Sequence, residues 1–172
     1  MTVTLRRTQK LASVLPATIE TPPAPDSALG DWYANRIVVN RKPLLLLLSS
    51  RTLLAILLPA RELRALPSRL GDVVAQRLRR LGIEQRLIEA EVGAMDPVLV
   101  SKTSDRAIVG IMVDFANMIP YHLDRGAWDE STLPFVEARL AKVPCFTSRA
   151  GEQTVFPDVA TRTVLAERWG AG

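Results

Sequence analysis

The run KTSDR at residues 102–106 places two cations, two hydroxyls and a carboxylate within five positions. It follows the apolar run PVLVS and precedes AIVGIMVDFANMI, so a strand should end at Lys102 and a helix begin near Arg106. The first amide N–H groups of a helix have no intrahelical acceptor and carry the positive end of its dipole. Together with Lys102, Thr103 and Arg106 they would form a seat for phosphate or another oxyanion. The same residues support a second reading. Ser104 or Asp105 caps the helix, and an arginine pairs with Asp105, so that the seat is filled from within. Asp114 and Asn117 are the strongly polar residues of 107–119. A carboxylate on so apolar a helix either holds a structural ion pair or belongs to a site.

Other chemistries find less support. One histidine, His122, and one cysteine, Cys145, stand outside any cluster with metal-ligand spacing, so no metal is expected. Cys145 would need an activating partner to serve as a nucleophile, and VPC after an amphipathic helix reads better as a small packing residue. Gly71, Gly82, Gly93 and Gly110 are scattered singly, with no phosphate-binding loop, and neither GxSxG nor HExxH occurs. No cofactor is expected. An enzyme acting on a phosphate-bearing substrate at residues 102–106, with Asp114 as its carboxylate, would lack a general base at a recognisable spacing.

Charge offers the other lead. Residues 1–95 carry 14 basic and eight acidic groups, whereas residues 96–172 carry eight and ten. The excess lies in Arg6, Arg7, Lys10, Arg36, Arg41, Lys42 and the helix bearing Arg77, Arg79 and Arg80. Arg77, Arg79, Arg80, Arg41 and Lys42 are therefore candidate contacts to nucleic acid or to an acidic protein partner. Aromatic residues make up only 5% of the chain, with Trp32 and Tyr33 the adjacent pair, so a base-stacking platform is thin. Arginine supplies 18 of the 22 basic residues, a habit that GC-rich coding explains without any function.

These residues need a scaffold. The loudest stretch is KPLLLLLSSRTLLAILLPARE at 42–62. A membrane helix needs about 20 apolar residues, and Arg51 in mid-span would cost several kcal/mol. Two strands buried on both faces and joined at SSRT fit better. With WYANRIVVN before them they make a three-stranded antiparallel meander over 32–59. TVTLRR alternates as a short strand, and Thr8 is placed to cap a helix running to about Leu15. The four prolines of 16–30 mark a surface loop. Leu70, Val74, Leu78 and Leu81 form one helical stripe that Gly82 ends. EQRLIEAEV, the apolar run after Asp105 up to Pro120, STLPFVEARLAKV and FPDVATRTVLAERW read as further helices, and PVLVSK as a strand. The expected fold is a single α+β domain over 1–172, an antiparallel meander with helices packed against it. The lone cysteine cannot form an internal disulfide, and no apolar segment follows the basic residues of the N-terminus, so a cytoplasmic chain without a membrane anchor is expected.

LGDWYANRIVVNRK, the hydrophobic hairpin, SKTSDRAIVGIMVDFANM and LAKVPC occur in that order before the last helix. In this order they resemble an uncharacterised bacterial family, a domain of unknown function met as small plasmid or chromosomal open reading frames. Its members read something like LG-W-AN near the start and KTN-RS-LGSMND after the helical middle. Leu29, Gly30, Trp32, Ala34 and Asn35 match the first signature, and Lys102, Thr103, Arg106, Gly110, Met112 and Asp114 the second. Ser104, Ala107, Ile111 and Val113 depart from it. The resemblance covers most of the chain and carries no activity with it. It adds Trp32 and Asn35 to the ligand-binding candidates Lys102, Thr103, Asp105, Arg106, Asp114 and Asn117. Two classes of function stand side by side: a non-enzymatic binding module acting through its basic N-terminal half, and an enzyme using the turn at 102–106.

Overall fold

The computed structural model describes residues 2–123, 128–146 and 154–171. Five strands form one sheet in the order β4-β3-β2-β1-β5, with β1 at Val3–Arg7, β2 at Trp32–Val39, β3 at Lys42–Ser49, β4 at Ala55–Pro59 and β5 at Val98–Lys102. Helices α1 (Leu66–Arg80), α2 (Gln85–Gly93), α3 (Arg106–Met118), α4 (Leu133–Leu140) and α5 (Pro157–Trp169) complete the α+β fold. A short hairpin of β6 (Cys145–Phe146) and β7 (Thr154–Val155) lies between α4 and α5.

The meander is present: β2, β3 and β4 pair antiparallel in sequence order. Its leucines alternate between two cores. Leu45 and Leu47 face one side with Leu70, Val74, Leu78, Ile88 and Leu165, while Leu44, Leu46 and Leu48 face the other with Ile108, Met112, Phe115, Val136 and Leu140. Successive side chains of a strand point to opposite faces, so five apolar residues in a row are what a strand covered on both sides requires. No helix among the described residues is long and apolar enough to cross a membrane.

The sheet as a whole departs from the expected antiparallel form. β1 lies between β2 and β5 and runs parallel to both, which makes the sheet mixed. A parallel neighbour requires a crossover long enough to return the chain to the end where it started. Residues 8–31 supply it between β1 and β2, and α1 with α2 supply it before β5. The crossover is fixed at several points. Thr18 gives its N–H to the Val100 carbonyl and takes the Val100 N–H on its hydroxyl at 2.9 Å, covering the outer edge of β5. Leu11, Leu15 and Leu29 enter the first core, and the buried Glu91 accepts from the amides of Ala28 and Leu29 and from the Trp169 indole.

Local chemistry sets the turns. Asn40 and Arg41 link β2 to β3 with φ of 50° and 66°, the left-handed pair that matches the twist of a two-residue hairpin. Gly30 has φ 77°, and a Cβ there would lie 2.3 Å from the Ser50 hydroxyl oxygen. Only glycine fits both conditions. The helix expected from Thr8 to Leu15 is reduced to one 3-10 turn at Gln9–Leu11. The Thr8 hydroxyl donates to Asn35 Oδ1 at 2.6 Å and leaves that turn without a side-chain cap.

Candidate functional site

The parallel strands β1 and β5 end side by side, with Arg7 opposite Lys102 in register. β2 is level with them at Ala34 and continues five residues further to the hairpin turn. α3 starts four residues after β5. The topology therefore brings Lys10, Arg36, Arg41, Lys102 and Arg106 to one end of the sheet, all exposed. Among the described residues none of the five makes an ion pair. They are what the fold gathers, and only Arg41, Lys102 and Arg106 of them stood among the candidate contacts.

The turn at 102–106 is held from below by Tyr33. Its hydroxyl oxygen accepts the Asp105 N–H at 3.1 Å and lies 3.3 Å from the Ser104 hydroxyl. Asp105 caps α3 by accepting the Ala107 N–H on Oδ1 at 2.9 Å. Two of the amides expected to seat an anion are thus taken by the protein itself, with Asp105 as the helix cap. The Lys102 carbonyl accepts from Arg6 Nη1, and Arg6 Nε donates to Asp31 at 3.1 Å.

The other candidates are dispersed. Trp32 is fully buried in the first core, on the face of the sheet away from α3. Asn35 is occupied by Thr8 and by its neighbour's amide. Asp114 and Asn117 are exposed on α3, and eight residues of helix put about 12 Å of axial rise between Arg106 and Asp114. Asp114 does not meet the turn and, among the described residues, forms no ion pair. One cleft shared by Lys102, Arg106, Asp114 and Trp32 is not formed.

The arginines of α1 divide. Arg77 is buried, donating Nε to the Ala55 carbonyl and lying 3.6 Å from Glu137. Arg80 binds Glu137 at 2.8 Å, and Arg79 is exposed against Gln85. In its native position Arg77 offers nothing to a phosphate. Lys42 bonds to the Trp128 carbonyl and lies 5.7 Å from the centre of its ring.

Two carboxylates went unremarked in the sequence. Glu137 belongs to a stripe with Leu133, Val136 and Leu140, an apolar i, i+3, i+4, i+7 spacing with a charge at its third place. That break in the pattern was the available signal. Glu91, three residues after the buried Ile88, carries the same mark. Burial raises the Glu137 pKa against the opposing pull of Arg77 and Arg80, and burial lowers that of Arg77.

No group of three or more His, Cys, Asp or Glu among the described residues could hold a metal ion. Desolvation, then the charge of Arg139, holds His122 below its ordinary range. Cys145 is buried, its Sγ donating to the Val143 carbonyl, and burial with Asp114 nearby pushes its pKa up to about 11. At pH 8 roughly a thousandth of such a thiol is ionised. Ellman's reagent should therefore leave the native protein almost unlabelled while titrating one thiol in guanidinium. Rapid labelling of the native chain would contradict this packing.

A family model described as a domain of unknown function (DUF6933) matches residues 4–160, and the chain belongs to that family. Nothing among the curated proteins or the solved structures matches it.

Proposed function

We propose that the chain is a non-enzymatic binding module whose basic sheet end contacts a nucleic-acid backbone. The observation that supports this reading is the placement of Lys10, Arg36, Arg41, Lys102 and Arg106 at one end of the sheet, exposed and, among the described residues, without ion pairs. Some surface cations elsewhere are paired, Arg80 with Glu137 and Lys142 and Arg162 with Asp158. Arg64, Arg79, Arg139 and Arg168 are exposed singly on other faces. What sets the sheet end apart is that the topology gathers its cations. Unpaired cations in a row suit a polyanion, because each phosphate they meet releases condensed counterions. Arg41 at the hairpin tip and Arg36 before it extend the row beyond the ends of β1 and β5. Trp32 and Tyr33 are buried, so neither is presented for stacking on bases. Contact would then be with the sugar-phosphate chain and tolerant of sequence.

Fluorescence anisotropy with labelled single- and double-stranded oligonucleotides at ~50 mM salt tests the reading. Binding should weaken steeply as salt is raised. The double variant Arg36→Ala, Arg41→Ala should bind more weakly and lose about one unit of the log–log salt slope per phosphate contact removed. Both side chains are exposed, so the fold should be unchanged in circular dichroism. No anisotropy change at low salt would retire the proposal and leave the basic end to an acidic protein partner.

A further inference from the structure

Where β1 and β5 end, a pocket of about 410 Å³ opens beneath the crossover, lined by Arg7, Gln9, Thr18, Ile19, Glu20 and Lys102 among others. Two features of its wall are unusual. The first is Arg7. Two arginines are buried among the described residues, Arg77 and Arg7. Arg77 has Glu137 beside it. Arg7, only 8% exposed, donates Nε to the Leu15 carbonyl at 2.9 Å and, among the described residues, meets no carboxylate. A guanidinium stays charged at any working pH, and a buried charge requires a partner. Its two terminal amino groups have no hydrogen-bond partner among the described residues and are not sealed from solvent, so they are open to the pocket that Arg7 lines.

The second is Lys102. It stands opposite Arg7 in the parallel register, so both side chains leave the sheet on the same face from strands about 4.8 Å apart. Like charges facing each other across strands destabilise a sheet unless something neutralises them. Glu20 is the pocket's one carboxylate and lies beyond ion-pair distance of both, which leaves the lining with a net positive charge. The Thr18 hydroxyl is engaged by Val100, so the strap over the pocket is fastened independently of any ligand. The ends of parallel strands are also where open sheets with crossovers commonly bind ligands.

We propose that this pocket binds a phosphate group, free or on a small organic molecule, held by Arg7 and Lys102. Arg7 supplies the paired donors that fit two oxygens of one phosphate, and Lys102 adds a point charge. The site goes beyond the nucleic-acid reading and does not need it.

The test is an amide chemical-shift titration of the whole chain with inorganic phosphate and, separately, glycerol 3-phosphate, against chloride at equal ionic strength. Saturable shifts are expected at residues 7–9, 17–20 and 101–102, with none from chloride. A tighter fit for glycerol 3-phosphate points to a monoester, and equal or weaker binding to free phosphate. Lys102→Gln, at an exposed position, should weaken phosphate binding about tenfold, as loss of a charged hydrogen bond does. Should Arg7→Gln fail to fold, Lys102→Gln still decides the matter. The Arg36→Ala, Arg41→Ala variant should take phosphate as the wild type does, which separates this site from nucleic-acid binding. The proposal is overturned by the absence of saturable shifts up to ~10 mM, where a 1 mM site is about nine-tenths filled. Shifts that map elsewhere, or that Lys102→Gln leaves unchanged, overturn it equally.

Discussion

Replacing Leu46 by Asp should yield a chain with no cooperative unfolding transition. Leu46 is fully buried at the middle of β3, between Asn35 on β2 and Leu57 on β4, and its side chain enters the core beneath α3 and α4. Losing a core leucine costs about 3–5 kcal/mol through lost transfer energy and the cavity left behind. Burying an unpartnered polar group adds about 1–3 kcal/mol on mutational scales, and more while the carboxyl remains ionised. The sum is comparable with the whole stability of a typical domain, about 5–15 kcal/mol. Leu46→Met keeps volume and polarity and should cost less than about 1.5 kcal/mol. Urea unfolding followed by far-UV circular dichroism distinguishes the two. A cooperatively folding Asp variant would mean that β3 does not present this side chain to a dry core.

The same strand shows why part of the fold was legible. Unbroken leucines bounded by Pro43 and Pro59 have few solutions, and the polar SSRT break rules out a single long helix. Stripes at 3.6-residue spacing located α1, and a proline after an apolar run located the end of α3. Pairing between distant strands leaves no such trace. Nothing in TVTLRR tells whether it joins β2 as a hairpin or by a crossover, and the parallel register with β5 depends on where two intervening helices deliver the chain. Faces were equally hidden. Residue types brought Trp32 and Asp114 together as one site, but alternation along β2 sends Trp32 into the core on the far side of the sheet from α3. The apolar helix makes Asp114 look as though it needs a partner, whereas it falls on the solvent side of the stripe formed by Ile108, Ile111, Met112 and Phe115. The cation row at the sheet end was spread over residues 10–106 and is assembled by topology alone.

The LG-W-AN residues make the same point from the other side. Each has a structural occupation: Leu29 gives its amide to Glu91, Gly30 admits Ser50 in a left-handed turn, Trp32 and Ala34 fill the core, and Asn35 holds Thr8. Residues that look like a binding motif in one dimension fix the crossover between β1 and β2 in three. That crossover forms the cover of the Arg7 pocket, so the scaffold and the proposed site share the same segment.

Glu137→Ala should be strongly destabilising, because one carboxylate helps close the edge of the sheet. β4 is an outer strand, and an unpaired edge offers its backbone groups to any other chain. Here two helices answer it. Arg77 from α1 donates to the Ala55 carbonyl, and Glu137 from α4 accepts the Leu57 N–H at 3.2 Å while binding Arg80. Alanine at 137 leaves Arg77 buried without its carboxylate and Leu57 without an acceptor. Breaking a buried pair in this way costs about 3–5 kcal/mol, which lowers Tm by roughly 6–20 °C in a chain of this size. The paired variant Arg77→Met, Glu137→Leu separates charge from edge closure. It removes both ions at similar volume, a change that is often close to neutral, so that the open edge dominates what remains. At Leu57 that residue is about 1–3 kcal/mol for an unmet amide. The double variant should therefore melt above Glu137→Ala, and analytical ultracentrifugation should show it self-associating through the opened edge. If Glu137→Ala melts within about 3 °C of wild type, a loss of only ~1 kcal/mol, then neither the ion pair nor the amide contact secures β4, and the edge is protected by packing alone.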